Sequence, residues 1–142
     1  IYHLDPKEFS ISYRSVSPPF SLWFLSCEMI FPDKEVTTME ELKGLRDSRI
    51  ERQPLSENTC GSVFKNPDGN HAGDLIERSG LKGFIICGWS ISEKHANFIV
   101  NDKEATARDI ETLINHIQNT VKDQFGIRLE TEVRIIGEYD EP

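Results

Sequence analysis

Ala107-Arg108-Asp109-Ile110-Glu111-Thr112-Leu113-Ile114-Asn115-His116-Ile117-Gln118-Asn119-Thr120-Val121-Lys122-Asp123-Gln124-Phe125 is the stretch that decides the fold class. Ile110, Leu113, Ile114, Ile117 and Val121 recur at the helical period, so one face is apolar and has to be covered. Thr106 is a suitable N-cap and Gly126 stands where a helix stops, which predicts a helix over residues 107–125. The next ten residues change period. Over 127–136, Leu129, Thr131, Val133 and Ile135 alternate with Arg128, Glu130, Glu132 and Arg134, the pattern of a strand with one charged face.

Upstream, residues 84–87 and 89–91 read as strand broken at Gly88, and 98–100 as another, with the polar run Ser92-Glu93-Lys94-His95-Ala96-Asn97 between them. Residues 72–79 form a short helix with Leu75 and Ile76 inward and Gly80 as its stop. A further helix runs from a cap at Thr37 or Thr38 to about Arg52, with Glu40 and Glu41 in its first turn and an apolar stripe of Met39, Leu42 and Leu45; Gln53-Pro54 ends it. Residues 20–31 are aromatic and apolar, stopped by Pro32 and Asp33, and read as a strand. Before them, Pro18 and Pro19 forbid a helix and suit an extended turn. Short strands punctuated by helices imply an α+β fold: a small, mostly antiparallel sheet with helices packed on one face.

Composition narrows the function classes. The 142 residues suffice for one ordinary domain and not for a second complete one. A formal charge of −8 with no basic run argues against nucleic acid or an anionic membrane as partner. Any phosphate has to be met by a few focused cations. The apolar run near Leu22 is broken by Ser26, Cys27 and Glu28 and is too short to cross a bilayer. Cys27, Cys60 and Cys87, odd in number and widely spaced, fit neither a disulfide framework nor a zinc pattern and read as reduced thiols of a cytoplasmic protein. The opening Ile1-Tyr2-His3-Leu4 has no evident start or cap and reads as the continuation of a longer polypeptide.

Chemistry concentrates in Thr59-Cys60-Gly61-Ser62-Val63-Phe64-Lys65-Asn66-Pro67, read as a loop. Gly61 permits a sharp turn, and a hydroxyl, a cation and an amide follow it closely, as an anion-handling or proton-donating site requires. Gly-Ser turns are equally common in inert loops. This is not a Walker loop, because no Gly-Lys-Ser/Thr follows.

Gly61-Ser62-Val63-Phe64-Lys65-Asn66-Pro67, Ala72-Gly73-x-Leu75-Ile76-Glu77 with Gly80-Leu81-Lys82-Gly83, Ser92 to Asn101, and Leu129-Glu130-x-Glu132-Val133-Arg134-Ile135-Ile136-Gly137 together resemble the UDP-N-acetylenolpyruvoylglucosamine reductase (MurB) family. The likeness spans about residues 50–138, and Tyr13-Arg14-Ser15 is similar to the family's upstream tyrosine-arginine signature. The short interval from Tyr13 to Ser62 resembles the subclass lacking an extra tyrosine-bearing substrate loop. The departure is at the front, where the family's glycine-rich FAD-binding region has no counterpart. The resemblance therefore implies that residues 1–38 are the incomplete end of a flavin-binding part and 39–142 the substrate-binding domain, with the isolated chain inactive.

It also implies a reaction: NADPH reduces FAD, hydride passes to one alkene carbon of UDP-N-acetylglucosamine enolpyruvate, and a proton reaches the other, giving UDP-N-acetylmuramate for peptidoglycan. Ser62 matches the family's proton donor, Glu132 its essential glutamate and Arg14 its catalytic arginine. A working Glu132 would be neutral and donating, or would touch the alkene carbon rather than the substrate carboxylate. Asn66 and Lys82 resemble the residues that hold the diphosphate, while His95 and Tyr13 are candidates to touch the substrate. Taken singly, each has a plainer reading: Ser62 a loop hydroxyl, Glu132 a strand residue paired with an arginine, Arg14 on the surface, His95 and Tyr13 in the core. Lys65 and Lys94 read equally as solvated cations. The competing function is a binding module for a nucleotide-sugar or other phosphorylated ligand, which would use Lys65, Asn66 and Lys82 without flavin; it has no need of Ser62, Glu132 and Arg14 together.

Overall fold

The computed structural model describes residues 1–31, 37–86, 88–101 and 105–137. They fall into two compact units, Ile1–Thr37 and Thr38–Pro142.

In the first unit, Asp5 caps a single 3-10 turn at Pro6–Glu8, and β1 (Ser10–Ser12) pairs antiparallel with β2 (Ser15–Ser17). Tyr13 and Arg14 make the two-residue turn of this hairpin, which sequence reading missed because Ser, Ile and Val alternate there for only three residues a side. Arg14 takes φ 55, a left-handed conformation uncommon for a residue with a side chain. The strand expected over residues 20–31 is absent: the segment has no regular structure, and Trp23 is 93% exposed. Apolar composition makes a strand only where an edge accepts its N–H and C=O groups, and no described strand does so. Phe24 instead stacks on Phe9 at 5.9 Å, and Tyr2 meets Phe20 edge-on at 5.3 Å. Pro32 and Asp33, expected to stop that strand, lie outside the described residues, as do Cys87 and the acidic tail after Gly137.

The second unit begins with α1 (Met39–Arg52). Thr38, not Thr37, is its cap, and a capping box closes with Glu41: the Glu41 amide donates to Thr38 Oγ1 and the Thr38 amide to Glu41 Oε2. The expected apolar stripe is there but uncovered, since α1 buries no residue. Next come β3 (Thr59–Ser62), α2 (Ala72–Arg78), β4 (Ile85–Ile86), β5 (Trp89–Ile91), β6 (Phe98–Asn101) and α3 (Ala107–Phe125). The four strands form an antiparallel sheet in the order β3-β6-β5-β4. Gly88, at φ 83, supplies the left-handed step of the β4–β5 turn.

The apolar face of α3, Leu113, Ile114, Ile117 and Val121, packs on α2 and β5, joined by Leu75, Ile76, Ile91, Ile99, Phe64 and Leu129 in one core. Each fully buried side chain of this kind contributes about 1.5–3 kcal/mol. Thr106 and Asp109 form the capping box of α3, and Gly126 ends it at φ 71.

The last expected strand, 127–136, is not one. It pairs only at an isolated Phe64–Thr131 bridge, flanked by hydrogen bonds from the Lys65 amide to Glu130 O (2.9 Å) and the Glu132 amide to Val63 O (2.8 Å). The neighbouring chain reaches Pro67, which has no N–H to donate, so the ladder runs out. Leu129 is buried, but Ile135, expected on the same inward face, is 58% exposed.

Candidate functional site

The segment read as the Gly-Ser loop is half strand. On β3, Thr59 lies opposite Val100 of β6 and Ser62 opposite Phe98, so three steps along β3 match two along β6. The extra residue makes a bulge, and Gly61 at φ 83 provides the conformation it needs. No atom lies within 4 Å of the Cβ position at Gly61, so the demand there is on the backbone and not on space. A bulge re-aims the side chain next to it, here that of half-buried Ser62.

Beyond Ser62 the chain is clamped from both sides. On one side the Val63 amide donates to Asn97 O (2.9 Å), the Phe64 amide donates to Asn97 Oδ1 (3.0 Å), and Asn97 Nδ2 donates to Phe64 O (2.8 Å). On the other, the Phe64–Thr131 register places Glu132 opposite Val63, one residue from Ser62 along the paired strand. Ser62 and Glu132 are thus on neighbouring extended segments, and Glu132 is half-buried. Lys65, expected as a solvated or ligand-facing cation, forms a close ion pair with Glu130.

Asn66 has a structural duty: its Oδ1 accepts the Ala72 amide at 3.0 Å, satisfying one of the free N–H groups at the start of α2, where His71 gives no side-chain cap. Its Nδ2 group is a separate donor pair. Lys82 follows the turn that ends α2 and pairs with Glu77 at 2.8 Å on the surface. His95 stands edge-on to Phe98 with ring centroids 5.0 Å apart, and its Nδ1 accepts the Asn97 amide at 3.2 Å, which puts the neutral ring's proton on Nε2. Burial holds the His95 imidazole below its ordinary range; a local backbone hydrogen bond and the Glu77 carboxylate oppose this, while the Lys82 charge adds to it. Tyr13 and Arg14 sit in the first unit at the tip of the β1–β2 turn, with the Arg14 guanidinium 5.8 Å from the Tyr13 ring centroid. Five of the seven predicted site residues therefore share the second unit, and the other two share one turn of the first.

Two residues at this site escaped sequence reading. Asn97 is 4% exposed and makes every contact between His95 and the segment after Ser62 described above. Its signal was an amide set between Ala96 and the apolar Phe98-Ile99-Val100, where a polar side chain needs partners. Gly73 is the second: the His95 ring lies in the space that a side chain on Gly73 would enter. Cys27 and Cys60 are free thiols, and partial burial pushes the Cys60 thiol above its ordinary range. Among the described residues no helix is long and apolar enough to cross a membrane.

Fold and site together define a small α+β domain in which the segments carrying Ser62, Asn97 and Glu132 meet beside the outer strand of an antiparallel sheet. Residues 53–136 match the family model for the C-terminal domain of UDP-N-acetylenolpyruvoylglucosamine reductase, and the chain belongs to that family. It is 46% identical over 134 residues to the UDP-N-acetylenolpyruvoylglucosamine reductase of Methylococcus capsulatus, covering 94% of this chain and 44% of the relative. It is 45% identical over 135 residues to that of Legionella pneumophila, covering 94% and 45%. The crystal structure of the Thermus caldophilus reductase (MurB) superposes with a TM-score of 0.55 at 32% identity, over 68% of this chain and 33% of that one. The chain thus spans less than half the length of these relatives.

Proposed function

We propose that this chain is the substrate-binding, proton-donating part of an oxidoreductase that converts UDP-N-acetylglucosamine enolpyruvate to UDP-N-acetylmuramate, a cytoplasmic step of peptidoglycan precursor synthesis. The observation that carries this reading is the pairing of the Ser62–Lys65 segment with 130–133, which brings the segments bearing Ser62 and Glu132 side by side inside the family-matched region.

FAD, reduced by NADPH, supplies the hydride when bound. The described residues do not fit the dinucleotide itself, because the first N–H of α2 is already taken by Asn66 and no glycine-rich loop leads into a helix. The flavin belongs with the further portion that the longer relatives possess. This chain's residues fit the substrate side. Addition next to a carboxylate builds negative charge on the neighbouring carbon, and Ser62 Oγ is the donor that protonates it. The forked Arg14 guanidinium suits the substrate carboxylate. Lys82 can leave Glu77 for a diphosphate at little cost, since an exposed ion pair is worth about 0–1 kcal/mol. Asn66 keeps its NH2 donors for the same anion, and the neutral His95 offers Nε2–H.

The test is to combine the chain with the flavin-binding portion of a reductase and follow flavin absorbance. Bleaching by NADPH and recovery on adding the enolpyruvyl substrate is expected. Binding of the UDP-sugar with no flavin turnover would favour the phosphorylated-ligand module instead.

A further inference from the structure

We propose that Asn97 is the positioning residue for the Ser62 hydroxyl, holding the backbone that aims it and tying that backbone to His95; this rests on the reductase reading of the site. Ser62 lies between two irregularities. On its N-terminal side the Gly61 bulge interrupts the β3–β6 register, which resumes only at the Ser62–Phe98 pair. On its C-terminal side, the backbone N–H of Val63 and both polar backbone groups of Phe64 bond to Asn97, at 2.9, 3.0 and 2.8 Å.

An amide is the side chain this requires. Phe64 presents one donor and one acceptor from the same residue, and only Asn or Gln answers both with a single planar group. Asn97 is 4% exposed, so water cannot replace either bond. Its backbone N–H, separately from the side chain, is given to His95 Nδ1 at 3.2 Å. The Asn97 side chain therefore acts on the direction of the hydroxyl through Phe64, while its main chain links the same point to His95, and it need not touch substrate itself.

The test uses the full-length flavin-bound reductase carrying this segment, with Asn97→Asp, which keeps Oδ1 and loses the donor, and Asn97→Ala in case the carboxylate perturbs folding. NADPH-driven flavin reduction is expected to stay within about twofold of the parent, while reoxidation by the enolpyruvyl substrate slows about a hundredfold and its solvent deuterium isotope effect rises. In a Ser62→Ala background, Asn97→Asp is expected to add almost nothing, because it acts through the hydroxyl already removed. Equal loss in both half-reactions, or full additivity with Ser62→Ala, would overturn the assignment. If the parent itself shows no flavin turnover, the reductase reading is what fails. Hydrogen exchange in Asn97→Ala then decides the positioning role: faster exchange at the Phe64 amide with α3 unchanged supports it, and unchanged exchange there sinks it.

Discussion

Gly73 lies against His95 so closely that a methyl group on Gly73 would sit 3.0 Å from the imidazole Cε1 and 3.4 Å from Nδ1. The ring cannot simply swing away, because Nδ1 holds the Asn97 amide and one edge meets Phe98. Gly73→Ala is therefore expected to displace His95. Alanine's gain in helix propensity, about 1 kcal/mol, offsets part of the strain, so the melting temperature changes little. Substrate KM in the complete enzyme should rise about tenfold, equivalent to about 1.4 kcal/mol. An unchanged KM would remove His95 from the substrate site.

Ser62→Ala separates the two halves of the proposed cycle. Flavin reduction by NADPH is expected to continue nearly unchanged, and reoxidation by the enolpyruvyl substrate to slow by about a hundredfold to ten-thousandfold. Stopped-flow absorbance on each half-reaction measures this, and matched losses in both would contradict a proton-donating role.

Asn66→Asp distinguishes scaffold from site at a single residue. The carboxylate keeps an acceptor for the Ala72 amide and suits the positive end of a helix, so stability should hold. Toward a diphosphate it replaces two donors by a like charge, and binding of the UDP-sugar is expected to weaken by at least about tenfold. Isothermal titration with intact affinity would show that Asn66 serves only α2.

The capping boxes of α1 and α3 have the same chemistry and different consequences. Thr106→Ala removes the cap of a helix that anchors the core and should lower global stability by about 1 kcal/mol. Thr38→Ala removes the cap of a helix that buries nothing, so its fraying stays local and the global transition is expected not to move. Urea unfolding of both variants makes the comparison; an equal shift would mean α1 folds with the core.

The depressed His95 value makes stability fall on mild acidification. The unfolded chain takes up its proton near pH 6.5, about the ordinary histidine value, before the folded chain does. The loss therefore begins there and levels off once pH has passed the lowered folded value. Asp109, held low chiefly by hydrogen bonds from Thr106, contributes stability above the ordinary carboxylate range and loses it only as pH falls through its own depressed value; Glu41, held low in the same way by Thr38, does so locally for α1. His95→Gln should flatten the upper window and leave the lower one. A retained slope near pH 6 in that variant would assign it to another group.

Periodicity and caps made α3 legible to the residue, since its apolar face and both end signals depend on local sequence alone. The same signals marked Thr37 or Thr38 and Gln53 for α1 but could not tell that, among the described residues, its stripe is left unburied. Residues 20–31 and 127–136 have the composition of strands, yet strandhood depends on a partner edge that no local pattern reports. At the site, Ser62, His95 and Glu132 were singled out by the family resemblance, since taken singly each has a plainer reading. The bulge at Gly61 and the bracing by Asn97 were hidden because both arise from how β3 meets β6, a pairing between residues more than thirty apart.

The bulge also makes this part of the protein sensitive to arithmetic rather than to side-chain chemistry. Thr59 and Ser62 are both in register with β6 only because the bulge takes up the extra step, so inserting or removing a residue between them changes the backbone that aims Ser62. Tolerance to insertion and deletion should be lowest here in the whole segment, even where tolerance to replacement is generous. Length, more than identity, is what this stretch has to keep.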